Sequence, residues 1–433
     1  MTDAAWWRPV PAAASAQAPA SGVAFAALVS FTAILLLSPQ AWFPVLGAMR
    51  IAFVVAAIAI GTHLLSQLVR PRQAAPVPAE VLIAFTLVAW AVLTVPVSYW
   101  PGGSVEVLTD RYLKAVAFFW LIGTLATTTR RLRILAWTFV LGSMPLAATG
   151  IKNYITGDVL STGVRGFTRI AGYTGGSNLA ANPNDLALML NLTLPIAAAL
   201  IWMSRRPSAK GLAALALVLA VTAVVLTFSR AGFLTLAASL CMCIVLLARR
   251  RAAGGAAALL VGAVIAMPLL PAGYLDRVRT ISDIETDATG SAQGRWRDTK
   301  VAARLVLESP VLGAGIGQDV LVMNEERGID TWRRVHNVYL QYGVDLGLPG
   351  MLLFIWLHVV CVRGAHQAER RAARDPALRD LVPLAAGVKV ALVAFAVAAM
   401  FHPIAYHFYF FSVGGLAVAL RAATVAAPPG SAA

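Results

Sequence analysis

The chain is 433 residues long, 59% hydrophobic and only 13% charged, where a soluble protein carries about a quarter charged residues. An ordinary soluble domain is thereby excluded, and several uncharged runs are long enough to cross about 30 Å of hydrocarbon as helices. The net charge of +15 would suggest nucleic acid on a soluble protein; here the cations must first be sorted by membrane side, and no nucleic-acid partner is expected.

Residues 1–21 are Ala/Pro-rich and lack an apolar core, so they read as a flexible cytoplasmic tail and not as a cleaved signal peptide. Twelve spans are expected, at about 22–38, 46–68, 80–99, 112–127, 132–151, 185–204, 211–228, 231–248, 255–271, 337–362, 382–401 and 405–421. This makes 22–421 one membrane domain and 422–433 a second cytoplasmic tail. The fold class is all-α, a polytopic helical membrane protein. Cys241, Cys243 and Cys361 fall in apolar spans and read as small core hydrophobes.

Alternate connections are dense in cations: Arg70 and Arg72; Arg130, Arg131 and Arg133; Arg205, Arg206 and Lys210; Arg249 to Arg251; Arg363 to Arg379; with Arg8 and Arg421 at the two ends. The positive-inside rule puts these in the cytoplasm. Two long segments then lie outside, about 152–183 and about 272–336, and long loops in a compact protein are usually functional. The second holds an expected helix from Gln293 to Leu307, apolar at Trp296, Val301, Ala302, Leu305 and Val306, with arginine and lysine on its other flank.

Residues 211–248 hold one charge, Arg230, in 38 residues. As a single helix they would be about 57 Å long, and both flanks read as cytoplasmic, so the stretch must turn back near Ser229–Gly232. Arg230 then stands at the outer edge of the hydrocarbon, as a snorkelling cation or as a fixed one for an anionic substrate. Arg295 lies in the outer loop on the same side, and two arginines can hold a diphosphate through paired N–H donors. His336 opens the tenth span from outside, where a neutral imidazole can take a proton from a sugar hydroxyl. Gly347 and Gly350 on that span allow a neighbouring helix to approach closely.

Asn182, Asn184 and Asp185 begin the sixth span and read as a helix cap with an acidic first turn, or as contacts to a sugar. Lys114, near the outer end of the fourth span, could extend an anion clamp or snorkel. Asp283-x-Glu285-x-Asp287 reads as a solvated loop and not as a cation site. Lys389 lies deep in the eleventh span with no evident partner, and His402 and His407 read as interfacial anchors. No metal or cofactor is expected.

His336-Asn337, nine residues, Gly347, two residues, Gly350 resembles the signature of the bacterial O-antigen ligase family, which shares its domain with O-antigen polymerases and O-glycosylation ligases. Similar family segments are "FSRAGF" around Arg230, "ANPNDLALML" from Ala181, and "GRWRDTKVAARLVLESPVLGAGIGQ" from Gly294 to Gln318, with its Ser309-Pro310-x-x-Gly313-x-Gly315 core. The resemblance implies an integral-membrane glycosyltransferase of the GT-C type in the bacterial inner membrane, with its active site facing the periplasm. The donor would be a glycan on undecaprenyl diphosphate, and the acceptor a lipid A–core oligosaccharide. Arg230 and Arg295 would grip the diphosphate and His336 would act as general base, with inversion and without a metal. Asn184, Asp185, Asn337 and Lys114 are further candidate substrate contacts.

Within this superfamily a polymerase or a protein O-glycosylation ligase is the near alternative. The 272–336 loop holds nine cations, Arg277, Arg327, Arg333 and Arg334 among them, which favours a phosphorylated acceptor. A transporter is the alternative from another class. It would place polar groups along a central path, whereas these spans are apolar in mid-membrane apart from Lys389.

Overall fold

The computed structural model describes residues 21–69, 77–161, 168–173, 180, 182–249, 252–283, 285, 287, 290–327 and 332–425. The expected tails therefore lie almost wholly outside the described residues, as do Arg8, Arg70, Arg72, Arg250 and Arg251 of the cytoplasmic cation pattern.

The helices in chain order are α1 (Gly22–Leu37), α2 (Pro44–Ala48), α3 (Ile51–Val69), α4 (Ala79–Thr94), α5 (Pro101–Val107), α6 (Leu113–Leu125), α7 (Thr129–Thr156), α8 (Pro183–Met203) and α9 (Pro207–Leu226). They continue with α10 (Arg230–Arg249), α11 (Ala253–Ala266), α12 (Tyr274–Arg279), α13 (Ser291–Glu308), α14 (Asp319–Arg327), α15 (Val338–Arg374), α16 (Val382–Ala398) and α17 (Phe408–Val425). The expected outer segment 152–183 carries one antiparallel ladder of two short strands, β1 (Leu160–Ser161) and β2 (Thr168–Arg169). The chain is an all-α polytopic membrane protein.

Among the described residues nine helices are long and apolar enough to cross a membrane: α3, α4, α7, α8, α9, α10, α15, α16 and α17. The other three expected spans fall on shorter helices, α1, α6 and α11. Helix α6 is extended at its start by a π turn, Leu108–Tyr112, and by α5. Helices α8, α16 and α17 are buried along most of their length and form the middle of the bundle, with α15 packed on α16 and α17. Helix α3 is mostly exposed and turns Phe53, Leu65 and Leu68 outward, a surface suited to lipid. Of the three cysteines only Cys361 is buried; Cys241 is exposed, so it is no core residue.

Three connections differ from the sequence expectation. Helix α15 runs on to Arg374, so Arg363, Arg370 and Arg371 ride a helical extension instead of a loop. Lys389 has a partner, Glu369 on that extension, since a buried ammonium needs a counter-charge. Gly347 and Gly350 do not admit a neighbouring helix. A side chain at Gly347 would meet the backbone of Pro310 and Val311, which belong to a loop.

That loop explains the glycine pattern. At Gly347 the backbone adopts φ 68° and ψ −174°, a region essentially reserved for glycine. The Leu348 N–H turns aside to Pro310 O at 2.7 Å, and Pro349 has no N–H to give. The carbonyls of Val344 and Asp345 are thereby released from the helix, and they accept Ala314 N and Gly315 N, each at 2.8 Å. Trp90 Nε1 donates to Leu346 O at 2.9 Å. Every carbonyl named is satisfied inside the protein, as irregular backbone at membrane depth requires. Gly313, at φ 66°, lies so close to Val344 and Asp345 that a Cβ would stand 2.6 Å from their backbone. The two glycine motifs, apart in sequence, are two halves of one joint.

Helix direction sorts the bundle into two ends. Helices α8, α10, α15 and α17 all begin at one end and finish at the other. Arg133–Asp380 at 3.0 Å and Arg421–Glu80 at 3.0 Å tie helices together at the far end. The near end carries the site.

Candidate active site

The site is assembled where α8 and α10 begin. Asn182 caps α8 by accepting Asn184 N and Asp185 N, both at 3.0 Å, with Pro183 suited to the first helical position. Ser229 caps α10, its Oγ accepting Gly232 N at 3.1 Å. The same hydroxyl donates to Asn184 Oδ1 at 2.8 Å, and so stitches the two helix starts together. Gly232 faces Ala187 so closely that a Cβ there would stand 2.7 Å from its methyl. The turn expected near Ser229–Gly232 is thus present, between Leu226 and Arg230.

Arg169, at the end of β2, reaches over this junction. It donates from Nε to Thr227 O at 3.0 Å and from Nη2 to Asn184 Oδ1 at 2.8 Å. His402 approaches Asn184 from the other side, with Nε2 3.2 Å from its carbonyl oxygen. His402 is buried, with Nδ1 2.8 Å from Ala398 O, and is therefore not an interfacial anchor.

Arg230 points into the outer segment. Its Nη1 lies 2.9 Å from Thr280 Oγ1 and 3.0 Å from Asp287 Oδ2. The second oxygen of Asp287 takes Arg277 Nη1 at 2.8 Å. Asp287 is buried, which corrects the reading of its acidic run as a solvated loop; Asp283 and Glu285 are exposed. The cause is electrostatic: two converging guanidinium groups need an anion between them.

Helix α13 spans the expected segment, but its arginines do not share one flank. Gly294, Asp298, Ala302 and Val306 are its buried residues, and Arg295 lies on the Asp298–Ala302 side at helical spacing. Trp296, expected on the apolar face, is exposed. Ala302 and Val306 pack with Met323, Val335 and Val344 into a small core that ties α13 to α14, α15 and the strand before His336. Arg295 is half-buried, and it pairs with no carboxylate among the described residues. Burial, then the charges of Arg230 and Arg277, pull its pKa down to about 10. Arg169 is likewise drawn down to about 10, by burial and then by Arg277, Arg295 and Arg230.

His336 stands beside Arg295. Its Nδ1 lies 2.9 Å from Arg334 O. A carbonyl can only accept, so Nδ1 carries the hydrogen and Nε2 keeps a free lone pair. Burial and then the Arg295 charge lower the pKa of His336 to about 4, so it is neutral at neutral pH. The preceding residues are fixed by buried Asp319, which accepts Val335 N at 3.0 Å and pairs with Arg334 at 3.3 Å.

The tertiary structure brings Arg230, Arg295 and His336 into one cluster and adds Arg169, Arg277, Asp287 and His402 to it. Sequence reading missed these four in any such role; the only signals were their place in the long outer segments and near the outer edge of the last spans. Asn184 is committed to bracing, Asp185 to a bond with Asn182, and Asn337 to capping α15 through Leu340 N at 3.1 Å. Lys114 is not brought to the arginines; it forms an exposed pair with Asp110 at 3.1 Å. Among the described residues no cluster of three or more His, Cys, Asp or Glu side chains is placed to hold a metal ion.

Chemically, the cluster offers several guanidinium groups around one carboxylate, next to a neutral imidazole with an open nitrogen. Fold and site together describe a helical membrane protein with guanidinium groups and a neutral imidazole gathered at one end of its bundle. Residues 215–355 match the family model described as O-antigen ligase. The matched stretch contains Arg230, Arg277, Asp287, Arg295, Asp319, His336 and Gly347, while Arg169 and Asn184 lie outside it. No curated protein matches the chain.

Proposed function

We propose that this protein is a glycosyltransferase that moves a glycan from undecaprenyl diphosphate onto a hydroxyl of lipid A–core oligosaccharide, at the periplasmic face of the inner membrane. The observation that carries this reading is Arg295: a half-buried guanidinium without a carboxylate partner among the described residues, standing between other arginines and His336. Asp287 and Asp298 offset the Arg295 charge only in part, and a partly buried cation is unfavourable unless further anionic charge is supplied. A diphosphate offers two adjacent anionic groups, which planar guanidinium forks bind bidentately.

In the proposed reaction His336 Nε2 takes the proton of the acceptor hydroxyl. The hydroxyl oxygen attacks the anomeric carbon from the face opposite the diphosphate, so configuration inverts. The bond from the anomeric carbon to the diphosphate oxygen breaks, and its electron pair leaves on that oxygen. Arg230 and Arg295 stabilise the charge that grows there, with Arg277 and Arg169 as flanking cations. Asp287 holds Arg230 and Arg277 in register before the donor arrives. Asp319, itself seated on Asp345, fixes the strand that carries His336 at the start of α15.

The test is glycan transfer by purified protein from an undecaprenyl-diphosphate-linked glycan to lipid A–core. His336→Ala is expected to lose a factor of about 10²–10⁴ in turnover while accumulating to the same level in the membrane. Transfer only onto a second lipid-linked glycan, with none onto lipid A–core, would assign the protein to polymerisation instead. Unchanged turnover in His336→Ala would remove the base from the mechanism.

A further inference from the structure

We propose that the cleft between α10, α15 and α16, at the end of the bundle opposite His336, binds the phosphate headgroup of an anionic phospholipid. The cleft measures about 270 Å³ and is lined by Arg249 of α10, by Val362, Arg363 and His366 of α15, and by Lys389 of α16, with Val245 on its apolar wall. Arg249, Arg363 and His366 are exposed, whereas Lys389 is buried at 6%. The cations therefore ring the mouth above an apolar wall, the amphipathic pattern a lipid presents in reverse.

Charge separates the candidate occupants. Lys389 is already neutralised by Glu369, while Arg249 and Arg363 form no ion pair among the described residues. These two arginines come from different helices yet border one cavity. Arg249 closes α10, where the helix C-terminus itself favours a cation. That account does not extend to Arg363, which lies well inside α15. Arg249 is also the last residue of a 20-residue apolar helix, which sets it at the depth where hydrocarbon gives way to headgroups. Basic clefts between helices at that depth suit anionic headgroups. The volume accommodates a phosphate and the first part of one chain, and the remainder of the lipid stays in the bilayer. So placed, the lipid braces α10 against α15, and α10 carries Arg230 at its other end.

The experiment uses full-length protein purified in a neutral detergent and stripped of lipid. Phosphatidylglycerol or phosphatidylcholine is added back, and bound lipid is counted by native mass spectrometry. Phosphatidylglycerol is expected to bind in preference and to raise the thermal unfolding midpoint. The double variant Arg249→Gln/Arg363→Gln is expected to bind it roughly tenfold more weakly. Arg205→Gln/Arg206→Gln, which removes two exposed cations outside the cleft, is expected to bind as the unmodified chain does. Equal binding of the two lipids, equal losses in both double variants, or the same stabilisation by inorganic phosphate alone would each overturn the proposal. The lipid comparison on the unmodified chain stands even if a variant fails to fold.

Discussion

The Asp319 carboxylate accepts the backbone N–H of Val335 at 3.0 Å, one residue before His336. The same carboxylate pairs with Arg334, whose carbonyl takes the His336 Nδ1 hydrogen. Asp319 is itself held, because its N–H donates to Asp345 Oδ1 at 2.7 Å, and Asp345 accepts Tyr406 Oη at 2.9 Å. The orientation of the imidazole is thus set by a buried chain of polar groups running from α14 through α15 to the segment before α17.

Asp319 is accordingly a positioning residue. Asp319→Ala frees the strand that holds His336, and a displacement of about 1 Å at a reacting group can cost about 100-fold. The loss is expected in kcat with KM for the donor little changed, since the arginines remain. Asp319→Asn keeps an oxygen for Val335 N and is expected to recover part of the rate. Equal loss in both variants would mean that the charge, and not the placement, matters.

Arg295 separates stability from activity. Replacing it with Met removes a half-buried cation that Arg230 and Arg277 repel, while keeping much of the side-chain volume. The unfolding midpoint of donor-free protein is expected to hold or rise, the usual trade between stability and function. Transfer is expected to fall by about 10²–10³. Arg295→Lys keeps the charge without the fork and is expected to restore only part of the rate. A lowered midpoint in Arg295→Met would show that the guanidinium serves the fold.

The pH dependence follows from His336. Its pKa is about 4 in the donor-free protein, so the base form prevails above that value and protonation removes it below. The lowering has two causes, burial first and Arg295 second. A diphosphate on the arginines cancels the second, so the titration is expected to move upward when donor binds. Histidine-labelled NMR, with the His336→Ala spectrum subtracted, reads this directly. An unmoved titration would separate the donor from this histidine.

Gly347 tests the joint. Its φ of 68° suits glycine alone, and an added Cβ would lie 2.2 Å from Val311 O. Gly347→Ala is expected to destabilise by at least about 1–3 kcal/mol from backbone strain, seen as a lower unfolding midpoint. Limited proteolysis between residues 309 and 319 should quicken at the same time, because the loop loses its seat on Val344 and Asp345.

Much of the architecture was legible because hydropathy is local. A run such as residues 211–228 must be a helix in hydrocarbon whatever its neighbours do, and its length dictates the turn before Arg230. Helix caps are local as well, so Asn182 was readable from its own few residues, whereas Asn337, read only as a candidate substrate contact, proved to cap α15. The length of α15 was not: Arg363 to Arg374 continue the helix because Glu369 finds Lys389 twenty residues on, and nothing near either residue announces it. The neighbour of Gly347 was misjudged for the same reason, since a glycine declares that something comes close without saying what.

The sequence by itself determined the membrane class, the placing of Arg230 at a helix start and of His336 before another, and the glycine spacing. Each of these depends on forces acting within one segment. Only the tertiary structure decided which face of α13 turns Arg295 inward, that Asp287 is a buried bridge, and that Arg169 joins the cluster. Those outcomes depend on charges from distant segments meeting where water is scarce, and the strength of such a meeting is set by distances that no single segment contains.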